Sequence, residues 1–205
     1  MKIRRSQAAV ITGALLVAGV AAQASAAAPK PVCNLVVDPA GDANYLSVTS
    51  TPLPSEDGLD LLSGDIATNA TTLTAVVRVK NLASANTAPL GRAFYVNFVV
   101  GATTYYIDAT TSPLTGQTGS VGYAATTRQG LPGVVTVIFD NAKNEIRMST
   151  PIASFSKDPI KPKTRISGIN LLAQRLLVRV TLTTDQTDVG NSYKAGTPSC
   201  VKVGK

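Results

Sequence analysis

Apolar and polar residues alternate with a period of two along much of the chain. In residues 73–80, Leu73, Ala75, Val77 and Val79 fall on one side and Thr74, Val76, Arg78 and Lys80 on the other. In residues 94–100, Phe94, Val96, Phe98 and Val100 stand opposite Tyr95, Asn97 and Val99. Such a period belongs to an extended strand, whose successive side chains leave opposite faces. Gly101-Ala102 interrupts the pattern before a second run over 103–109, which predicts a hairpin with a tight turn. Residues 134–140 and 144–149 flank Asn141-Ala142-Lys143 in the same way. Residues 177–184 alternate Val178, Val180 and Leu182 with Arg179, Thr181 and Thr183. Weaker patterns predict strands over 34–38, 59–68, 120–126 and 164–171.

About nine short strands, rich in Val and Thr and separated by turn residues, predict an all-β fold. The expected architecture is an antiparallel β-sandwich, jelly-roll or immunoglobulin-like, with a barrel as the alternative. Only residues 169–177 read as a possible short helix. Residues 110–119 and 150–163 read as the longest loops, where a binding edge would lie.

The N-terminal segment follows a different rule. Lys2, Arg4 and Arg5 precede an uncharged apolar stretch from Ala8 to about Ala22, then Ala24-Ser25-Ala26. A basic start, an apolar middle and a small-x-small end are the signature of a secretory signal peptide. The expected cut follows Ala26, with Ala24 as the alternative. The apolar run is about 15 residues, short of the ~20 a spanning helix needs. The expected mature part is therefore a single secreted domain over 27–205, extracellular or wall-associated, with no membrane span.

Charge changes with that cut. Three of the 19 basic residues lie in the signal, which leaves 16 against 12 acidic ones. That excess is ordinary for solubility and gives no argument for nucleic acid. The one basic cluster, Lys157, Lys161, Lys163 and Arg165, has Pro151, Pro159 and Pro162 nearby. It reads first as a solvated loop and second as a contact for an anionic polymer. Cys33 and Cys200, the only cysteines, stand near the two ends of the mature chain. In an oxidising compartment they are expected to pair and hold the first strand beside the last.

The chain has no histidine. That excludes Ser-His-Asp and Cys-His nucleophiles, histidine-ligated zinc and histidine-ligated haem. No phosphate-binding glycine loop or dinucleotide fingerprint occurs, so no nucleotide is expected. A carboxylate-dependent hydrolase leaves no signature that could exclude it. Six of the 12 acidic residues crowd into 38–65: Asp38, Asp42, Glu56, Asp57, Asp60 and Asp65. Asp38-Pro39-Ala40-Gly41-Asp42 is a turn with two carboxylates four residues apart. Calcium takes six to eight oxygens, and Asp38, Asp42 and Asp60 are its candidate ligands. The alternative is a turn whose carboxylates bond nearby amides. Among the aromatics, Tyr95, Tyr105 and Tyr106 are the candidates for a ligand platform, with cross-strand packing as the alternative.

Four stretches resemble a known family when taken in order. They are Val37-Asp38-Pro39-Ala40-Gly41-Asp42-Ala43, Leu59-Asp60-Leu61-Leu62-Ser63-Gly64-Asp65-Ile66, Thr72-Leu73-Thr74-Ala75-Val76-Val77-Arg78-Val79 and Phe94-Tyr95-Val96-Asn97-Phe98. Over about residues 35–110 the chain resembles the DOMON-like superfamily, which includes family 9 carbohydrate-binding modules, and in particular copies in secreted actinobacterial proteins. The resemblance implies a β-sandwich, with sugar or haem bound by some members and calcium by some sugar-binding ones. The chain lacks the tryptophans of the sugar modules and the histidine of the haem members, so the fold carries over better than the function. The expectation is a non-catalytic extracellular binding domain, with cell-wall or extracellular polysaccharide as its partner. The alternatives are a purely structural secreted domain and a carboxylate hydrolase.

Overall fold

The structure is a computed structural model describing residues 29–43, 56–84, 88–124, 128–178 and 181–204. The predicted signal segment lies outside the described residues. The alternating segments become strands, in the order β1 (Val36–Val37), β2 (Leu61–Thr68), β3 (Thr72–Val79), β4 (Gly91–Val100), β5 (Thr103–Ser112), β6 (Gly116–Tyr123), β7 (Gln129–Gly130), β8 (Thr136–Asp140), β9 (Glu145–Pro151), β10 (Arg165–Leu176), β11 (Thr181–Gln186) and β12 (Tyr193–Lys194). Nine of them have five residues or more; β1, β7 and β12 have two each. They form two antiparallel sheets, β1-β2-β3-β9-β8 and β11-β10-β4-β5-β6-β7, with β12 also paired to β10. The fold is a β-sandwich.

Turn chemistry sets the hairpins. Asn69 Oδ1 accepts the main-chain N–H groups of Thr71 and Thr72 at 2.9 and 2.8 Å, closing the β2–β3 turn. Gly101 turns β4 into β5 at φ 60°, a conformation that favours glycine. β4 and β5 then pair in unbroken register from Arg92↔Thr111 to Val100↔Thr103.

Three expectations about local structure are corrected. Residues 110–119 are not a loop: Thr110 pairs Thr118 and Thr111 pairs Gln117, so the hairpin runs to Ser112↔Gly116. Threonine suits an extended edge, and Gly116, at φ 70°, allows the tight turn. Residues 169–177 contain no helix, because β10 has ladder partners on both sides, β4 and β11. Residues 177–184 are not one strand. The apolar run continues past the true end of β10, Val178 is 73 % exposed, and β11 begins at Thr181.

The core lies between the sheets. It is built from Leu73, Ala75, Val77 and Val79 of β3 facing Phe94, Val96, Phe98 and Val100 of β4, with Ile107, Ile146, Met148, Ile169 and Leu171 around them. Burying each large apolar side chain contributes about 1.5–3 kcal/mol. Val76 points away from this core yet is fully buried, because the C-terminal tail crosses the outer face of the five-stranded sheet. Val201 packs there against Ala67 and Val76, and the Gly204 N–H donates to Thr74 Oγ1 at 3.0 Å.

Cys33 and Cys200 form the expected disulfide, with Cα atoms 5.2 Å apart. The backbone reinforces it: the Val32 N–H donates to Pro198 O at 3.0 Å and the Cys200 N–H to Val32 O at 3.2 Å. A disulfide of this kind points to folding in an oxidising environment. Among the described residues no helix is long and apolar enough to cross a membrane.

Candidate functional site

The acidic segment has a largely structural explanation. Glu56 pairs with Arg92 at 2.9 Å and Arg175 at 3.2 Å, Asp57 with Lys80 at 2.9 Å, and Asp65 with Arg78 at 2.8 Å. Asp60 is fully buried, and its two oxygens accept the Gly41 N–H at 3.0 and 2.9 Å. Gly41 sits at φ 94°, so a glycine is needed for the amide to point down onto Asp60. Asp60 therefore holds the Asp38–Asp42 turn from beneath rather than standing beside its carboxylates.

Asp38 and Asp42 do come together, and their third partner is Asp185 of β11. One carboxylate oxygen from each of the three lies within 4.8 Å of the others. The chain reaches this arrangement through two anchors. The Asp38 N–H donates to Leu62 O at 3.0 Å, fixing the turn to β2. Asp185 Oδ2 accepts the Leu61 N–H at 2.7 Å, fixing β11 to the start of the same strand. Asp185 lies beside a bulge in the β10–β11 ladder, between Ala173 and Gln174.

The electrostatics of the trio are unbalanced. Burial, then the negative charge of Asp42, push the Asp38 carboxyl up to about 6. Burial pushes Asp185 up to about 7 against the opposing Leu61 amide, with Asp38 and Asp42 adding to the rise. Desolvation and like charge both disfavour the ionised form. Asp38 Oδ2 is buried and makes no hydrogen bond among the described residues, while a hydrogen bond with the Asp185 carboxyl partly offsets the rise of Asp38. A hard cation suits such a donor set: three carboxylates at mixed burial, completed by main-chain carbonyls and water.

The tyrosines separate. Tyr105 faces inward and is fully buried, stacked on Phe98 at 6.0 Å and set edge-on to Phe155 at 5.2 Å. Its hydroxyl donates to Asp158 Oδ2 at 3.0 Å, and burial helps push it up to about 12. It is a core residue, not part of a platform. Tyr95 and Tyr106 share the outer face of the seven-stranded sheet, with ring centroids 6.1 Å apart and edge-on. Arg128 covers them, its Cζ 3.7 Å from the Tyr95 centroid and 5.4 Å from that of Tyr106. Tyr106 is almost wholly buried as a result. The pair packs under a cation rather than lying open to solvent.

Asp185 was the residue that sequence reasoning missed. Nothing near it in the sequence is acidic in the way the 38–65 segment is. Its placement depends on β10 and β11 folding back beside β2. No family model, curated protein or solved structure matches the chain.

Proposed function

We propose that the chain is a secreted, non-catalytic extracellular interaction domain in which Asp38, Asp42 and Asp185 hold a stabilising calcium ion. The observation that carries the reading is the convergence of these three carboxylates, one of which, Asp38, also has a buried oxygen with no hydrogen bond among the described residues. The cation would offset their repulsion and join the turn after β1, on one sheet, to β11, on the other. The disulfide between the chain's ends is in keeping with an exported protein. The resemblance of residues 35–110 to DOMON-like modules supports the same class, and the absence of histidine narrows the chemistry a catalyst could use.

The test is thermal unfolding in millimolar calcium against chelator at constant ionic strength. A ligand that binds only the folded state adds about 2.7 kcal/mol at a hundredfold excess over its dissociation constant. The expected result is a rise of several degrees, largely lost in Asp42→Asn and Asp185→Asn and kept in Asp140→Asn. The amide oxygen introduced by Asp185→Asn would still accept the Leu61 N–H, so that variant keeps the structural bond. A melting temperature indifferent to calcium would overturn the reading.

A further inference from the structure

The ion pairs leave a second imbalance at one end of the seven-stranded sheet. Arg78, Lys80, Arg92, Lys143, Arg147 and Arg175 all have acidic partners. Among the described residues, Lys157, Lys161, Lys163, Arg165 and Lys194 are exposed and take part in no ion pair. Asp158, the one acid within 157–165, is engaged by the Tyr105 hydroxyl. Arg165 and Lys194 are direct cross-strand neighbours in the β10–β12 pair. Like charges so placed destabilise a sheet.

This basic surface is held rigidly. Lys163 adopts φ 71°, a left-handed conformation that costs a non-glycine residue energy. Its N–H donates to Ala195 O at 2.8 Å, and the Ala195 N–H donates to Thr164 O at 2.9 Å. The Lys161 N–H donates to Thr164 Oγ1 at 2.9 Å, and the Thr164 N–H returns to Lys161 O at 2.9 Å. The charges thus stand on a locked backbone, and a binding partner would meet them with little ordering cost.

A cleft of about 390 Å³ opens at the same end, lined by Thr103, Thr104, Tyr123, Gln129 and Lys157. Lys157 Nζ lies 5.4 Å from the Tyr123 ring centroid. The register Tyr193↔Ile166↔Val100↔Thr103 runs from the Lys194 edge to this cleft. At the usual strand spacing that row spans roughly 14 Å. One aromatic face, hydroxyls, an amide and a cation suit a sugar ring that carries an acidic group. Single-stranded nucleic acid instead calls for successive stacking rings along the groove, and among the described residues Tyr123 is the only ring that lines this one.

We propose that this end of the seven-stranded sheet binds an acidic polysaccharide, one ring seated in the Tyr123–Lys157 cleft and the next acidic units held by Arg165, Lys194 and the Lys161–Lys163 turn. The inference rests on the reading of the chain as an extracellular interaction domain, but not on its calcium site. The experiment is calorimetric titration of the protein with polygalacturonate in chelator, beside neutral dextran and single-stranded DNA. Binding to polygalacturonate is expected to weaken steeply with salt and to be absent for dextran. Lys157→Gln, and Arg165→Gln with Lys194→Gln, should each weaken it more than tenfold. Lys143→Gln in the β8–β9 turn with Lys202→Gln in the C-terminal tail should change it less than twofold. The altered side chains are exposed, and removing the Arg165–Lys194 repulsion should leave the melting temperature equal or higher. Equal weakening by both double variants, no binding to polygalacturonate, or equally tight DNA binding would overturn the proposal. Because calcium is absent throughout, a failed calcium response would leave this result standing.

Discussion

Asp185 of β11 and Asp38 of the turn after β1 face one another across the boundary between the two sheets. Each is tied to β2, Asp185 through the Leu61 amide and Asp38 through the Leu62 carbonyl. The Cys33–Cys200 disulfide makes a second link of the same kind, from the first described segment to the last. The sandwich is therefore tied twice, covalently by the disulfide and at this corner by the hydrogen bond from Leu61 to Asp185.

The covalent closure should be measurable in stability. A disulfide spanning 167 residues removes much loop entropy from the unfolded chain. Cys33→Ser with Cys200→Ser is expected to cost about 2–5 kcal/mol in denaturant unfolding. The oxidised protein should have a mass two hydrogens below that of its reduced form. Two alkylatable thiols in the unfolded, unreduced protein would contradict the bond.

Tyr105 and Tyr95 should differ in what they cost. Tyr105 is fully buried among Phe98, Phe155 and Tyr123. Tyr105→Ala should therefore destabilise by about 3–5 kcal/mol, as large aromatic deletions in a core do. Tyr95 lies on the outer face with Arg128 over its ring. Tyr95→Ala should cost about 1.5–2 kcal/mol, the usual value for an average site plus one partly exposed cation–π contact. Equal losses in urea unfolding would put both rings in the same environment and contradict the inward and outward assignment.

The strands with strict alternation were legible because one face of each meets the core: the phase of Leu73, Ala75, Val77 and Val79 matches their burial. The limits of β10 and β11 were not, since Leu176, Leu177 and Val178 continue an apolar run past the end of β10. Where a strand stops there depends on the partners in β4 and β11. The same holds for the acidic corner. Asp38 and Asp42 declared themselves through a short turn spacing, whereas Asp185 joins them by long-range pairing that no local pattern encodes. Asp60 looked equivalent to its neighbours in composition but is spent on the Gly41 amide.

That distinction gives a separate test. Asp60→Ala removes the fully buried acceptor of the Gly41 amide and should cost about 2 kcal/mol, as charged hydrogen bonds do, in calcium and in chelator alike. Asp42, exposed at the rim, has no such bond to lose among the described residues. Asp42→Asn should leave the melting temperature in chelator nearly unchanged or slightly raised, while reducing the gain from calcium. If Asp60→Ala and Asp42→Asn act alike under both conditions, Asp60 is a ligand and the division of roles is wrong.

Stability should also depend on pH. Asp38 and Asp185 sit at about 6 and about 7 in the folded protein, above the ordinary carboxylate value of 3.8. The native state therefore holds protons that the unfolded chain has released. By linkage, stability then falls as pH rises through this range and recovers as pH drops below it. In chelator, the melting temperature should rise as pH is lowered from about 8 to about 5. Buried Asp108, whose carboxyl is also raised, contributes with the same sign. The comparison that isolates the corner is thus with Asp185→Asn, which should flatten the slope. Calcium competes with the same protons, since its ligands must be ionised. Its stabilising effect should be large at pH 8 and small at pH 5. A calcium gain of equal size at both values would show that the ion binds somewhere other than Asp38 and Asp185.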